Sequence, residues 1–109
     1  MDVLVEEETV RESLREVIDP EIGINIVDLG LIYEIDLADV EGSEVGARDV
    51  ALTMTLTTPG CPAGPLILQQ AKDAIERIPG VSHLELDLTF SPLWNEEMMS
   101  EDVRWILGR

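Results

Sequence analysis

A chain of 109 residues, 45% of them hydrophobic, is long enough for one core and too short for two ordinary domains, so residues 1–109 are expected to form a single domain. Asp and Glu number 23 against 7 Lys and Arg, and the resulting net charge of -16 excludes binding to the phosphate backbone of nucleic acid or to an anionic membrane surface. No stretch approaches the roughly 20 apolar residues that span a bilayer, and the start, "MDVLVEEETV", carries acids where a signal peptide needs positive charge. A cytoplasmic protein is expected. The acids are scattered through the chain and Lys72 is the only lysine, a pattern that points to a high-salt cytoplasm, where a Debye length of about 3 Å at 1 M tolerates self-repulsion.

In chain order, Val10, Leu14, Val17 and Ile18 recur at helical spacing and predict a first helix over residues 7–18, ended by Asp19-Pro20. "DPEIGINIVDLG" reads as a loop with one helical turn around "VDLG"; it interleaves apolar residues with Asp19, Glu21, Asn25 and Asp28, behaviour typical of functional loops. "LIYEIDLADV" alternates Leu31, Tyr33, Ile35 and Leu37 against Ile32, Glu34, Asp36 and Ala38, the period of a half-buried strand. "DVALTMTLTT" repeats it with Val50, Leu52, Met54 and Leu56, and the glycines of "EGSEVGAR" between the two strands predict an antiparallel hairpin. A second helix is predicted over residues 62–78, with Ile67, Ala71, Ala74, Ile75 and Ile78 facing inward and Pro79-Gly80 as its stop. "VSHLELDLTF" gives a third strand with Leu84, Leu86, Leu88 and Phe90 on one side. A short closing helix carries Val103, Ile106 and Leu107, and both tryptophans, Trp94 and Trp105, are read as core anchors. The predicted fold is α+β in α-β-β-α-β-α order, a two-layer sandwich in which helices cover one face of a small mixed three-stranded sheet.

The single cysteine, Cys61, lies between Gly60 and Pro62 where the second helix is expected to begin. Pro62 suits the first helical position, and the partial positive charge of a helix N-terminus stabilises a thiolate, which is both a nucleophile and a soft metal ligand. Thr57 and Thr58 place two hydroxyls just before that turn. One cysteine cannot make an internal disulfide, which fits a reduced compartment. A thiol enzyme would need a base, and the only histidine, His83, alternates onto the polar face of its strand with Glu85 and Asp87. A structural zinc or a complete iron-sulfur cluster takes four ligands rich in Cys or His, so any metal at Cys61 must draw on carboxylates, a second subunit or another molecule. That describes a carrier or assembly factor better than an enzyme in its own right. Carboxylates in so acidic a chain are ordinarily surface charge, and Asp19 and Asp28 also fit as helix stop and turn cap.

"DPEIGINIVDLGLIYEI", "TLTTPGCP" and "SPLWNEEMMSEDVRWILG" resemble, in order and spacing, three blocks of the small metal-sulfur cluster assembly factors that include SufT and PaaD-like proteins. The resemblance implies an α+β domain serving the maturation of iron-sulfur proteins. Carried over by position, it implies a site made of Asp19, Glu21, Asp28, Thr57, Thr58 and Cys61, with Cys61 contacting a transient iron-sulfur cluster or iron. The implied partners are the assembly machinery and client apoproteins; a homodimer bridging a cluster through one thiol per chain and a heterologous partner with its own cysteines satisfy this equally. Two departures stand out. Gly23 occupies a place where the family often has proline, and the cysteine-rich tail of PaaD proteins is missing, which favours a general assembly role over a pathway-specific one. A cysteine-dependent enzyme with Cys61 as nucleophile and a client-binding adaptor without metal chemistry are the competing readings.

Overall fold

The computed structural model describes residues 5–40, 47–58, 60 and 62–107, and opens with helix α1 (Glu7–Leu14), which buries Val10 and Leu14. The helix is shorter than its apolar period predicts. Val17 is buried but Ile18 is 44% exposed, because Ile18–Asp19 forms a short strand, β1, that pairs antiparallel with β2 (Ile24–Asn25). The proline at position 20 bars Asp19 from helical geometry, and the hairpin pairing carries the extended conformation back through Ile18. The expected loop is therefore a two-stranded hairpin followed by a turn, in which Leu29 N–H donates to the Asn25 carbonyl at 3.1 Å in one helical step.

Strands β3 (Ile32–Asp39), β4 (Arg48–Met54) and β5 (Val81–Leu88) form a three-stranded sheet with β4 in the middle. β3 and β4 run antiparallel, as the hairpin pattern predicts, while β5 is parallel to β4, so helix α2 (Gly64–Glu76) is the crossover between them. The register sorts the side chains by face. Ile32, Ile35 and Leu37 of β3 stand beside Met54, Leu52 and Val50 of β4 and Leu88, Leu86 and Leu84 of β5. The other face carries Glu34, Thr53 and Asp87 in one row and Asp36, Ala51 and Glu85 in the next. Ile32, Ile35, Val50, Leu52 and Met54, with Val10 and Leu14 of α1 and Ile67, Ala71 and Ile75 of α2, belong to one buried cluster; Leu37, Leu84 and Leu86 pack on it half-buried, and Leu88 is 41% exposed.

The inner face of α2 is the predicted one, with Ile67, Ala71, Ala74 and Ile75 buried and Ile78 buried just beyond its end. Its start is corrected: Ala63 is the N-cap, so Pro65 and not Pro62 occupies the first turn. Any of the first-turn N–H groups is free, so either proline satisfies the rule. The packing selects Gly64, where an added Cβ would come 2.9 Å from Leu56 Cδ1.

Strand β3 also departs from simple alternation. A bulge between Ile32 and Glu34 inserts Tyr33 as an extra residue, so Ile32 joins the core face and Tyr33 leaves it. Beyond β5 the chain makes a single 3-10 turn (Glu96–Met98) and ends in helix α3 (Glu101–Ile106). Here Val103 is buried as expected, but Ile106 is 71% and Trp105 85% exposed, so neither is a core anchor. At about 100° per residue Trp105 lies roughly 200° around the helix from Val103, which turns it away from the body.

Candidate functional site

The β1–β2 hairpin is built by Asp19. Its side chain is 1% exposed, and Oδ1 accepts the Glu21 N–H at 2.9 Å, while its carbonyl accepts from Ile22 and Gly23 N–H at 3.2 and 2.7 Å. This side-chain turn brings Pro20 and Glu21 to the exposed tip. Gly23 closes the loop at φ +81°, a left-handed conformation that proline, fixed near φ −65°, cannot take.

Asp28 is half-buried in the following turn. Its Oδ2 accepts from Asn25 Nδ2 at 2.8 Å, its own N–H donates to Asn25 Oδ1 at 2.9 Å, and Arg15 Nε stands 3.9 Å from Oδ1. The reciprocal pair with Asn25 fixes the carboxylate, and the partly exposed Arg15 pair contributes under about 1 kcal/mol. Asn25 and Arg15 were not among the sequence candidates. The signal for Asn25 is its three-residue spacing from Asp28; nothing local flags Arg15.

Hydrogen bonds then draw distant segments to one end of the sheet. Thr55, just past β4 and fully buried, donates its N–H to the Leu31 carbonyl at 2.8 Å, and Thr89, just past β5, donates to the Met54 carbonyl at 2.9 Å. The C-terminal segment crosses the same end. Trp94 Nε1 donates to the Leu29 carbonyl at 2.7 Å, Ser100 N–H to the Asp28 carbonyl at 2.7 Å, and Tyr33 OH to the Pro92 carbonyl at 2.8 Å. Gly30, at φ +83°, lies against Met98 so closely that an added Cβ would sit 2.6 Å from the Met98 carbonyl carbon. The bulged Tyr33 lines a shallow apolar hollow of about 490 Å³ with Gly30, Ile32, Pro92 and Met98. Trp94, Ser100 and Gly30 hold the acidic turn in place, roles that only contacts some 65 residues apart in sequence reveal.

The segment joining β4 to α2 leaves the sheet at this end. Thr57 is half-buried and Thr58 exposed, and Gly60 has φ +81°. Cys61 lies outside the described residues. Asp19, Glu21 and Asp28 share one hairpin and turn, and the Thr55–Leu31 bond ties the segment that bears Thr57 and Thr58 to the end of that turn. His83 is exposed and pairs in register with Asp49, toward the opposite end of β4 from Thr55. Five residues of strand, about 17 Å, separate Asp49 from Met54. Among the described residues, no group of three or more His, Cys, Asp or Glu side chains is arranged to hold a metal ion. No helix among them is long and apolar enough to cross a membrane.

Comparison with known proteins identifies the family of the chain. Residues 7–86 match the model of the iron-sulfur cluster assembly protein family. The chain is 44% identical over 108 residues to an Fe-S protein maturation auxiliary factor of Porphyromonas gingivalis, covering 98% of this chain and 95% of the relative. It is 42% identical over 92 residues to the Fe-S protein maturation auxiliary factor SufT of Staphylococcus aureus, covering 84% and 97% of the two chains. The solved structure of a conserved hypothetical protein from Thermotoga maritima superposes with a TM-score of 0.82 at 39% identity, over the full length of both chains. With its α+β fold and its three sequence blocks meeting at one end of the sheet, the chain belongs to the iron-sulfur cluster assembly protein family and is SufT-like.

Proposed function

We propose that this protein acts in the maturation of iron-sulfur proteins, with Cys61 contacting iron, sulfide or a client thiolate and the neighbouring carboxylates and hydroxyls shaping the site. The observation that carries this reading is the meeting of the "DPE" hairpin, the segment leading to the cysteine and the C-terminal crossing at one end of the sheet, through the Thr55–Leu31, Trp94–Leu29 and Ser100–Asp28 hydrogen bonds. Asp19, buried and engaged with Glu21 N–H, sets the hairpin; Asp28 is held by Asn25; Glu21 sits at the exposed tip, and Thr57 and Thr58 precede the thiol. One thiol per chain leaves a tetrahedral iron short of ligands, so the cluster is cargo completed by thiolates of a client, of the assembly machinery or of a second copy. Independently of that reading, the net charge of -16 supports a high-salt cytoplasm, and a general assembly role is the form of the function proposed here.

Anaerobic reconstitution with iron and sulfide tests the proposal. Cluster-type absorption that disappears in Cys61→Ala is the expected result. No metal uptake, together with thiol-dependent hydrolysis of a small ester, would replace it with the nucleophile reading, and client pull-down unaffected by Cys61→Ala without metal uptake would replace it with the adaptor reading.

A further inference from the structure

The maturation reading leaves the far end of the chain unexplained. Helix α3 is anchored on one side only: Val103 is buried, and Ser100 caps the helix by accepting the Val103 N–H at 3.3 Å while its own N–H holds the Asp28 carbonyl. On the outer side, Trp105 and Ile106 are 85% and 71% exposed, with Leu107 beside them at 36%. Two large apolar side chains so fully in water are unusual for a helix whose other face is already fixed.

Their described neighbours are mostly acidic. Glu101 and Trp105 are four residues apart, as are Asp102 and Ile106, so each exposed apolar side chain shares its helix face with an exposed carboxylate. A cleft of about 340 Å³ is lined by Glu101, Asp102, Arg104 and Trp105, and exposed Glu97 precedes the helix in the 3-10 turn. Arg104, half-buried, is the one cation among the described lining residues.

We propose that this outer face of α3 docks a partner protein through a basic amphipathic segment, whose Lys or Arg side chains stack on Trp105 and meet Glu101 and Asp102 while its apolar side chains cover Ile106. Charge selects this occupant. An ammonium or guanidinium gains both from the indole face and from the carboxylates beside it. A second copy docked face to face would bring the same Glu101 and Asp102 against each other, a like-charge contact at too short a range for salt to screen. The proposal is independent of the chemistry at Cys61, and it places a docked partner beside the Asp28 turn, because Ser100 joins the two.

The test uses a fluorescently labelled helical peptide made only of leucine and lysine in an amphipathic pattern, titrated with the full chain at about 0.15 M salt and read by anisotropy. Trp105→Ala is expected to weaken binding at least tenfold, since a central tryptophan carries much of an interface's energy. Because the indole is exposed, the variant keeps its fold, which circular dichroism checks. The double variant Glu85→Gln with Asp87→Asn, on the open sheet face, is expected to bind within about twofold of the parent. Equal binding by Trp105→Ala would overturn the proposal. A tenfold loss in the sheet-face variant would also overturn it, by showing that the peptide docks on the open sheet face. Sedimentation showing a dimer that Trp105→Ala dissolves would overturn it by assigning the face to a second copy.

Discussion

Gly30 and Gly23 form a matched pair for measuring how firmly the C-terminal segment grips the acidic turn. Both have left-handed backbones, φ +83° and +81°, but nothing lies within 4 Å of a Cβ added at Gly23, whereas at Gly30 it would fall 2.6 Å from the Met98 carbonyl carbon and 2.9 Å from Met98 Cβ. An L-residue in this region costs about 1–2 kcal/mol, offset by about 0.4–1 kcal/mol through the reduced freedom of the unfolded chain. Gly23→Ala should therefore lose roughly 0.5–1 kcal/mol. Gly30→Ala carries the same backbone cost and must also push the turn away from Met98 backbone, an overpacking strain of about 1–3 kcal/mol. That shift stretches the Trp94–Leu29 and Ser100–Asp28 hydrogen bonds, each contributing about 0.5–1.5 kcal/mol. The expected loss is about 3–5 kcal/mol. At roughly 4 °C per kcal/mol for a domain near this size, Tm should fall by about 12 °C or more, against about 2–4 °C for Gly23→Ala. Urea and thermal unfolding followed by circular dichroism at one fixed salt concentration measure both. Two variants within about 1 kcal/mol of each other would refute the close grip of Met98 on the turn.

The open sheet face gives a second prediction. Glu34 and Asp87 flank Thr53, and Asp36 and Glu85 flank Ala51, so each acid lies two strand spacings, about 9.6 Å, from its counterpart. That distance is inside the Debye length of about 30 Å at 0.01 M salt and beyond that of about 3 Å at 1 M, so Tm should climb steeply across this range; a flat or falling Tm would remove the high-salt reading. Replacing Asp19 by Ala should cost about 1–3 kcal/mol, because the hairpin loses the buried carboxylate that accepts the Glu21 N–H, a hydrogen bond to a charged group, and urea unfolding would show it; an unchanged midpoint would mean that Pro20 and Gly23 shape the turn unaided.

Where one physical signal dominated, the sequence was readable. Val50, Leu52, Met54 and Leu56 alternate without interruption and are all buried, and the inward face of α2 follows its period without exception. The bulge at Tyr33 was not readable, because Leu31, Ile32 and Tyr33 are apolar in succession and either phase of alternation fits them. Ile18 fits a helical stripe equally well, and only pairing with Asn25 makes it extended. Trp105 was misplaced because size and apolarity predict burial while the short helix has only one face to bury. The candidate site divided in the same way. The blocks nominate candidate residues, but the crossing of residues 92–100 over the Asp28 turn depends on contacts that no local pattern encodes.

That crossing also sets an order of assembly during synthesis. Leu29 waits for Trp94 and Asp28 for Ser100, so the turn that carries Asp28 is translated long before the groups that secure it. At about 5–20 residues per second, the intervening stretch takes several seconds to make. Through that interval the β3–β4 hairpin can form from nearby residues, but the Leu29 carbonyl has no indole to meet. The acidic turn is therefore among the last parts of the nascent chain to set, and a chain cut short before Trp94 would lack the bonds that secure Leu29 and Asp28.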